Sequence, residues 1–149
     1  MGVIPLPANG EIAIDANILI YSVETQEPYW LLLQPLLSAA KAGQVILVAS
    51  ELIVLETLIM PFRTQDALLI NAYAEILSSP NVRLVPITTN TLLRAAKLRA
   101  EIPGLRTPDA IHAASALQQN ITSFLTNDSG FRRVPGLPVL LLSEFLNVP

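Results

Sequence analysis

The chain has no cysteine and a single histidine, His112. Disulfides, thiolate metal sites and cysteine nucleophiles are excluded, and so is a zinc site built from several histidines. Basic residues are scarce. Nine Lys and Arg against twelve Asp and Glu leave a net charge of −3, too little clustered positive charge for strong unaided nucleic-acid binding. No run of about 18 uninterrupted apolar residues exists, because Asp15, Glu51, Glu56, Pro61 and Asp66 break the long apolar stretches, so no membrane span is expected. The start "MGVIPLPANG" lacks a basic segment followed by an apolar one, and Leu6 stands where a myristoylation signal needs Ser or Thr. A cytoplasmic protein is the expectation. G-x-G-x-x-G, G-x-x-x-x-G-K-[ST] and G-x-S-x-G are all missing, which removes dinucleotide, P-loop and hydrolase-elbow readings.

What remains is apolar matter and carboxylates. The 149 residues suit one domain over 1–149, and the apolar fraction of 52% exceeds what a core of that size needs, which points to a partner or dimer surface. Short β-branched runs alternate with longer helical periods, the pattern of an α/β fold with a parallel sheet of about five strands. Strands are predicted near Ile12–Ile14, Val45–Val48, Val82–Val85, Ser123–Leu125 and Val139–Leu142. Helices are predicted over Ala16–Val23, over Pro28–Ala42 with Gly43 closing it and Pro35 as a kink, and from a Ser50 cap to Met60 with Pro61 as terminator. Further helices are expected over Thr64–Ser78 with Thr64 as cap, over Thr89–Glu101, and from "TPDAIHAASAL" with Thr107 as cap, Pro108 at N1 and Asp109 at N2. The sequons at Asn120 and Asn127 are read as chance matches.

Three of the four aspartates, Asp15, Asp109 and Asp128, fall at strand ends or in a helix's first turn. Ligands bind at the carboxyl rim of an open parallel sheet, and Asp15 and Asp128 follow their strands onto it. Each also has a local use: Asp15 as a helix cap, Asp109 against a helix dipole, Asp128 in a turn. Glu56 does not, since "SELIVLETLIMP" is apolar on nearly every face and an unpaired buried carboxylate costs several kcal/mol. It needs a partner or a metal, whereas Glu51 is explained by the first turn of that helix. If these acids meet, two carboxylates about 5 Å apart repel by roughly 3 kcal/mol at an effective dielectric near 20. A cation makes such a cluster sensible, and oxygen-only ligands favour Mg²⁺ or Mn²⁺. His112, three residues after Asp109, lies on the same helical side, although packing in the core is its commoner use.

"IAIDANILIY", "VASELIVLETL", "LRTPDAIHAASAL" and "FLTNDSGFRRVPGL", in this order, resemble the PIN-domain nucleases, in particular the VapC-type toxins of toxin–antitoxin pairs. The resemblance implies a three-layer α/β/α sandwich around the parallel sheet and a Mg²⁺- or Mn²⁺-dependent endoribonuclease leaving 5′-phosphate and 3′-hydroxyl ends. It assigns Asp15, Glu56, Asp109 and Asp128 to the catalytic metal site, with Asn17 and Thr126 supporting them. It also implies a homodimer and a cognate antitoxin. Arg106, Arg132 and Arg133 are candidates for RNA phosphate contacts near the rim, while Arg94, Lys97 and Arg99 read equally as a solvated helix face. Two other readings stay open: a housekeeping nuclease acting on RNA or DNA, and a non-catalytic interaction module that keeps the fold.

Overall fold

The computed structural model describes residues 1–146. In chain order the elements are β1 (Gly10–Ile14), α1 (Ala16–Val23), α2 (Tyr29–Lys41), β2 (Val45–Ser50), α3 (Leu52–Arg63), α4 (Ala67–Leu77) and β3 (Val82–Val85). They continue with α5 (Thr89–Glu101), α6 (Thr107–Leu117), β4 (Ser123–Thr126), a 3₁₀ turn (Ser129–Arg133), β5 (Val139–Leu141) and a second 3₁₀ turn (Leu142–Phe145). The five strands pair in parallel in the order β3-β2-β1-β4-β5, with β1 at the centre.

Side chains alternate along each strand, so the two faces of the sheet build two cores. Ile12 and Ile14 of β1, Val45 and Leu47 of β2 and Leu125 of β4 pack beneath α1 to α4. Ala13, Val48 and Phe124 point the other way and meet Ala95, Leu98, Ala110, Ala113 and Ala114 of α5 and α6. Helices on both faces explain why the strands read as nearly continuous apolar runs. The result is the α/β/α sandwich that the sequence led us to expect. None of the described helices is long and apolar enough to cross a membrane.

Several element ends differ from expectation. Pro61 does not terminate α3 but lies buried within its last turn, which Thr64 closes by directing both its amide (2.9 Å) and its hydroxyl (3.0 Å) to the Met60 carbonyl. Thr64 is thus engaged behind itself, and Asp66 caps α4 through the Leu69 amide at 3.1 Å. Thr107 is the first residue of α6 rather than its cap, because its hydroxyl accepts from Arg99 at 2.8 Å, and Asp109 is shifted one place to N3. Pro28 flanks α2 instead of entering it, and the last strand stops at Leu141. Ser50 accepts from the Leu52 amide at 3.2 Å, as a residue at that helix start should, although Glu51 holds the cap position.

Candidate active site

The site grows from the register of the sheet. Ile14 of β1 lies opposite Leu125 of β4, so one residue further Asp15 comes opposite Thr126, both on the α6 side. Their side chains meet: the Thr126 hydroxyl donates to Asp15 Oδ2 at 2.5 Å, while the Ile18 amide donates to Oδ1 at 3.4 Å and makes Asp15 the cap of α1. Asp15 retains only 7% of its exposure and Thr126 none. Burial pushes the Asp15 carboxyl above the usual carboxylate range. The Thr126 hydroxyl, nearby His112 and the Ile18 amide draw it back, and the charge of Asp109 adds to the rise. Asp15, Asp109 and His112 therefore share one neighbourhood, and the start of α6 stands over the carboxyl end of β1.

Thr126 also joins Asp128 to the group, since its Oγ1 accepts from the Asp128 amide at 3.0 Å. Asp128 then caps the 3₁₀ turn through the Gly130 amide at 2.8 Å. Phe131 anchors that turn beneath β4, its ring tilted against Phe124 with centroids 4.7 Å apart.

Glu56 has the partner its apolar helix demanded. Its Oε1 accepts from Nε2 of His112, a side chain 2% exposed, and α3 thereby ties to α6. Asp109, one turn before His112, accepts from Arg106 Nε at 3.2 Å; the Arg106 side chain is 75% exposed. Asn17, on the first turn of α1, is exposed and its side chain has no hydrogen-bond partner among the described residues. Arg132 pairs with Glu144 at 2.6 Å, and Arg133 donates to the carbonyls of Pro103 and Gly130.

Do these residues suit a divalent cation? A desolvated carboxyl whose pKa is raised by burial, with a second acid in its neighbourhood, is favoured by added positive charge, and an oxygen donor set suits a hard ion. Charge and donor type fit. Convergence is incomplete: among the described residues no three Asp, Glu or His groups come close enough to hold an ion together, Glu56 and Asp109 being engaged by His112 and Arg106.

The PIN-domain family model matches residues 12–137, a span that takes in Asp15, Glu56, Asp109 and Asp128. The chain belongs to the PIN-domain family. PIN domains are generally nucleases and typically use divalent metals. No curated protein matches the sequence of this PIN domain. Its fold is similar to that of solved structures at low identity. One is a chain of VapBC2 from Rickettsia felis bound to a DNA fragment from their promoter (18% identity, TM-score 0.69, 88% of this chain and 98% of that one). Another is a chain of a toxin–antitoxin complex from Klebsiella pneumoniae (22%, 0.63, 88% and 97%), and a third of FitAcB from Neisseria gonorrhoeae (19%, 0.64, 89% and 98%).

Sequence reasoning gave His112 only a lesser part in the site and missed how Glu51, Arg99 and Arg133 are used. Glu51 accepts from the Ile87 amide at 2.8 Å and fixes the chain leaving β3. The spacing of three between Asp109 and His112 was the available signal for the histidine; nothing local marks the other three.

Proposed function

We propose that this PIN domain is a divalent-metal-dependent endoribonuclease and the toxin of a toxin–antitoxin pair. The observation that carries the reading is the buried, charge-deficient Asp15, joined through Thr126 to Asp128 and sharing its surroundings with Asp109 and His112, which holds Glu56. In this reading Asp15, Glu56, Asp109 and Asp128 would hold Mg²⁺ or Mn²⁺. When bound, such an ion supplies a Lewis acid that lowers the pKa of a water and offsets charge developing on a phosphodiester. Thr126 keeps Asp15 oriented, and Asn17 projects from the adjoining turn of α1. Water adds to phosphorus as the bond to the 3′ oxygen breaks, and one proton of that water ends on the departing oxygen, giving a 5′-phosphate and a 3′-hydroxyl. Arg106 and Arg132, exposed although paired with Asp109 and Glu144, are the side chains this reading assigns to RNA phosphates.

A cognate antitoxin partner is supported by the complexes in which the similar folds occur. Self-association is supported by α3, where Leu55, Ile59, Met60 and Phe62 are 44–58% exposed on one helix. The compartment of this reading is the cytoplasm. The pairing of Glu56 with His112 and of Asp109 with Arg106 favours a second reading, an interaction module without turnover.

One experiment separates them: RNA cleavage with Mg²⁺, Mn²⁺ or chelator by the parent, Asp15→Asn and Asp109→Asn. Cleavage that needs the ion and falls by at least about a hundredfold in both folded variants is expected. Undiminished cleavage by either variant sinks the site assignment, and a parent that binds ions without cleaving establishes the module. Induction with and without the adjacent reading frame tests the toxin: growth arrest relieved by that neighbour is expected, and a housekeeping enzyme gives none.

A further inference from the structure

The turn that delivers Asp109 has one backbone hydrogen bond of its own, from the Leu105 amide to the Ile102 carbonyl at 3.3 Å, and two arginines hold it from outside. Between α5 and α6 the chain reverses through residues 102–106, with Ile102 and Leu105 buried and Gly104 at a φ of +80°, a left-handed conformation that suits glycine. Arg99, in the last turn of α5, donates Nε to the Leu105 carbonyl at 2.9 Å and Nη1 to the Thr107 hydroxyl at 2.8 Å. Arg133 reaches the same turn from the segment after β4. It closes the 3₁₀ turn that Asp128 caps, and its guanidinium donates to the Pro103 carbonyl and, at 3.4 Å, to the Gly130 carbonyl.

Both backbone segments beside that guanidinium carry a glycine. A methyl built on Gly104 would come within 3.9 Å of Arg133 Nη1, and one on Gly130 within 3.5 Å of Nη2. Gly130 donates to Asp128 while its carbonyl receives Arg133. A continuous run of hydrogen bonds therefore passes from Asp15 through Thr126, Asp128 and Gly130 to Arg133 and Pro103, on the turn that leads into Asp109. A planar guanidinium serves two carbonyls in fixed directions at once, whereas the three rotatable donors of an ammonium fix neither direction.

We propose that Arg133 is a positioning residue, with Arg99 as its second anchor: it ties the Asp128 turn to the Asp109 turn and so sets the spacing of the two acids, rather than reading the RNA backbone. The inference rests on the nuclease reading for its catalytic consequence, but the clamp can be tested without it. Arg133 is exposed, so its replacement leaves the core untouched. Two groups whose spacing sets the chemistry lose rate when displaced by a fraction of an ångström, without losing affinity for the rest of the substrate.

The test compares Arg133→Gln and Arg133→Lys with the parent by steady-state RNA cleavage over a salt series and by amide hydrogen exchange. Arg133→Gln is expected to lower kcat by about tenfold with KM and the salt slope unchanged, and to speed exchange at Gly104 to Thr107. Arg133→Lys should regain part of both, because the ammonium can still reach the Pro103 carbonyl. A raised KM with unchanged kcat and a salt slope smaller by about 0.7 would make Arg133 an RNA contact and overturn the proposal. If the parent cleaves no RNA, the nuclease reading fails by itself and exchange alone judges the clamp: faster exchange in Arg133→Gln upholds it, unchanged exchange overturns it.

Discussion

Replacing Thr126 by valine keeps the shape of the side chain and removes one oxygen atom. In a fully buried β4 position an apolar isostere should be neutral or stabilising, and β-propensity alone favours valine. The hydrogen bonds argue the reverse. The Thr126 hydroxyl donates to the buried carboxylate of Asp15 at 2.5 Å and accepts from the Asp128 amide at 3.0 Å, so its loss leaves an acid and an N–H short of a partner. A hydrogen bond to a charged group contributes about 1.5–3 kcal/mol, and the Asp128 N–H, only partly buried, adds the low end of the about 1–3 kcal/mol that a stranded donor costs, giving a destabilisation of roughly 3 kcal/mol. For a chain of this size that lowers Tm by roughly 6–12 °C. Thr126→Ser keeps the hydroxyl and loses one buried methyl, about 1 kcal/mol. Urea unfolding at pH 7.5 with a chelator present should therefore rank parent above Ser above Val. A Val variant within about 0.5 kcal/mol of the parent would refute the account of Thr126 as the support of Asp15.

Tyr73, fully buried in α4, donates its hydroxyl to Glu24 at 2.5 Å, and burial together with Glu24 pushes the phenol well above its usual range. Tyr73→Phe should cost about 1–2 kcal/mol by urea unfolding, and an unchanged midpoint would show that Glu24 is satisfied by water. The Arg83 guanidinium, hydrogen-bonded to Glu11 across β2, holds the Glu11 carboxyl below the usual range. Its contribution is complete above the unfolded value of about 4.3 and is lost as pH falls through the lower folded value, so Glu11→Gln should flatten the acid limb of a stability profile there, by less than about 1 kcal/mol. An identical acid limb would count against the pair. By light scattering at about micromolar concentration the parent should have the mass of the proposed dimer and the variant with glutamate at both Leu55 and Phe62 that of a monomer; a monomeric parent, or a dimer unaltered by the substitutions, would overturn α3 as a self-association surface.

The sheet and its helical layers were legible because they follow from periodicity, and the strand-end positions of Asp15 and Asp128 came with them. Glu56 was legible as a contradiction, a charge in an apolar helix, and the structure answers it with His112, fifty-six residues away in sequence. What escaped were local choices between competing partners. Thr64 and Thr107 both look like caps, yet one closes the preceding helix and the other receives an arginine, alternatives that only the three-dimensional neighbours decide. Arg133 escaped for a related reason: a guanidinium near acids suggests phosphate binding, and nothing in the surrounding residues announces that two carbonyls occupy it.

The strand order has a consequence for how the protein comes into being. β1 lies between β2, formed from the first third of the chain, and β4, formed near its end. The four acids are divided in the same way, Asp15 and Glu56 before β3, Asp109 and Asp128 after it. A ribosome-bound or proteolytically shortened chain that ends before β4 lacks Asp128, and with it Thr126, and leaves the central strand with an open edge. Completion of the sheet's centre and of the acidic group is thus postponed by topology until the chain has emerged past β4.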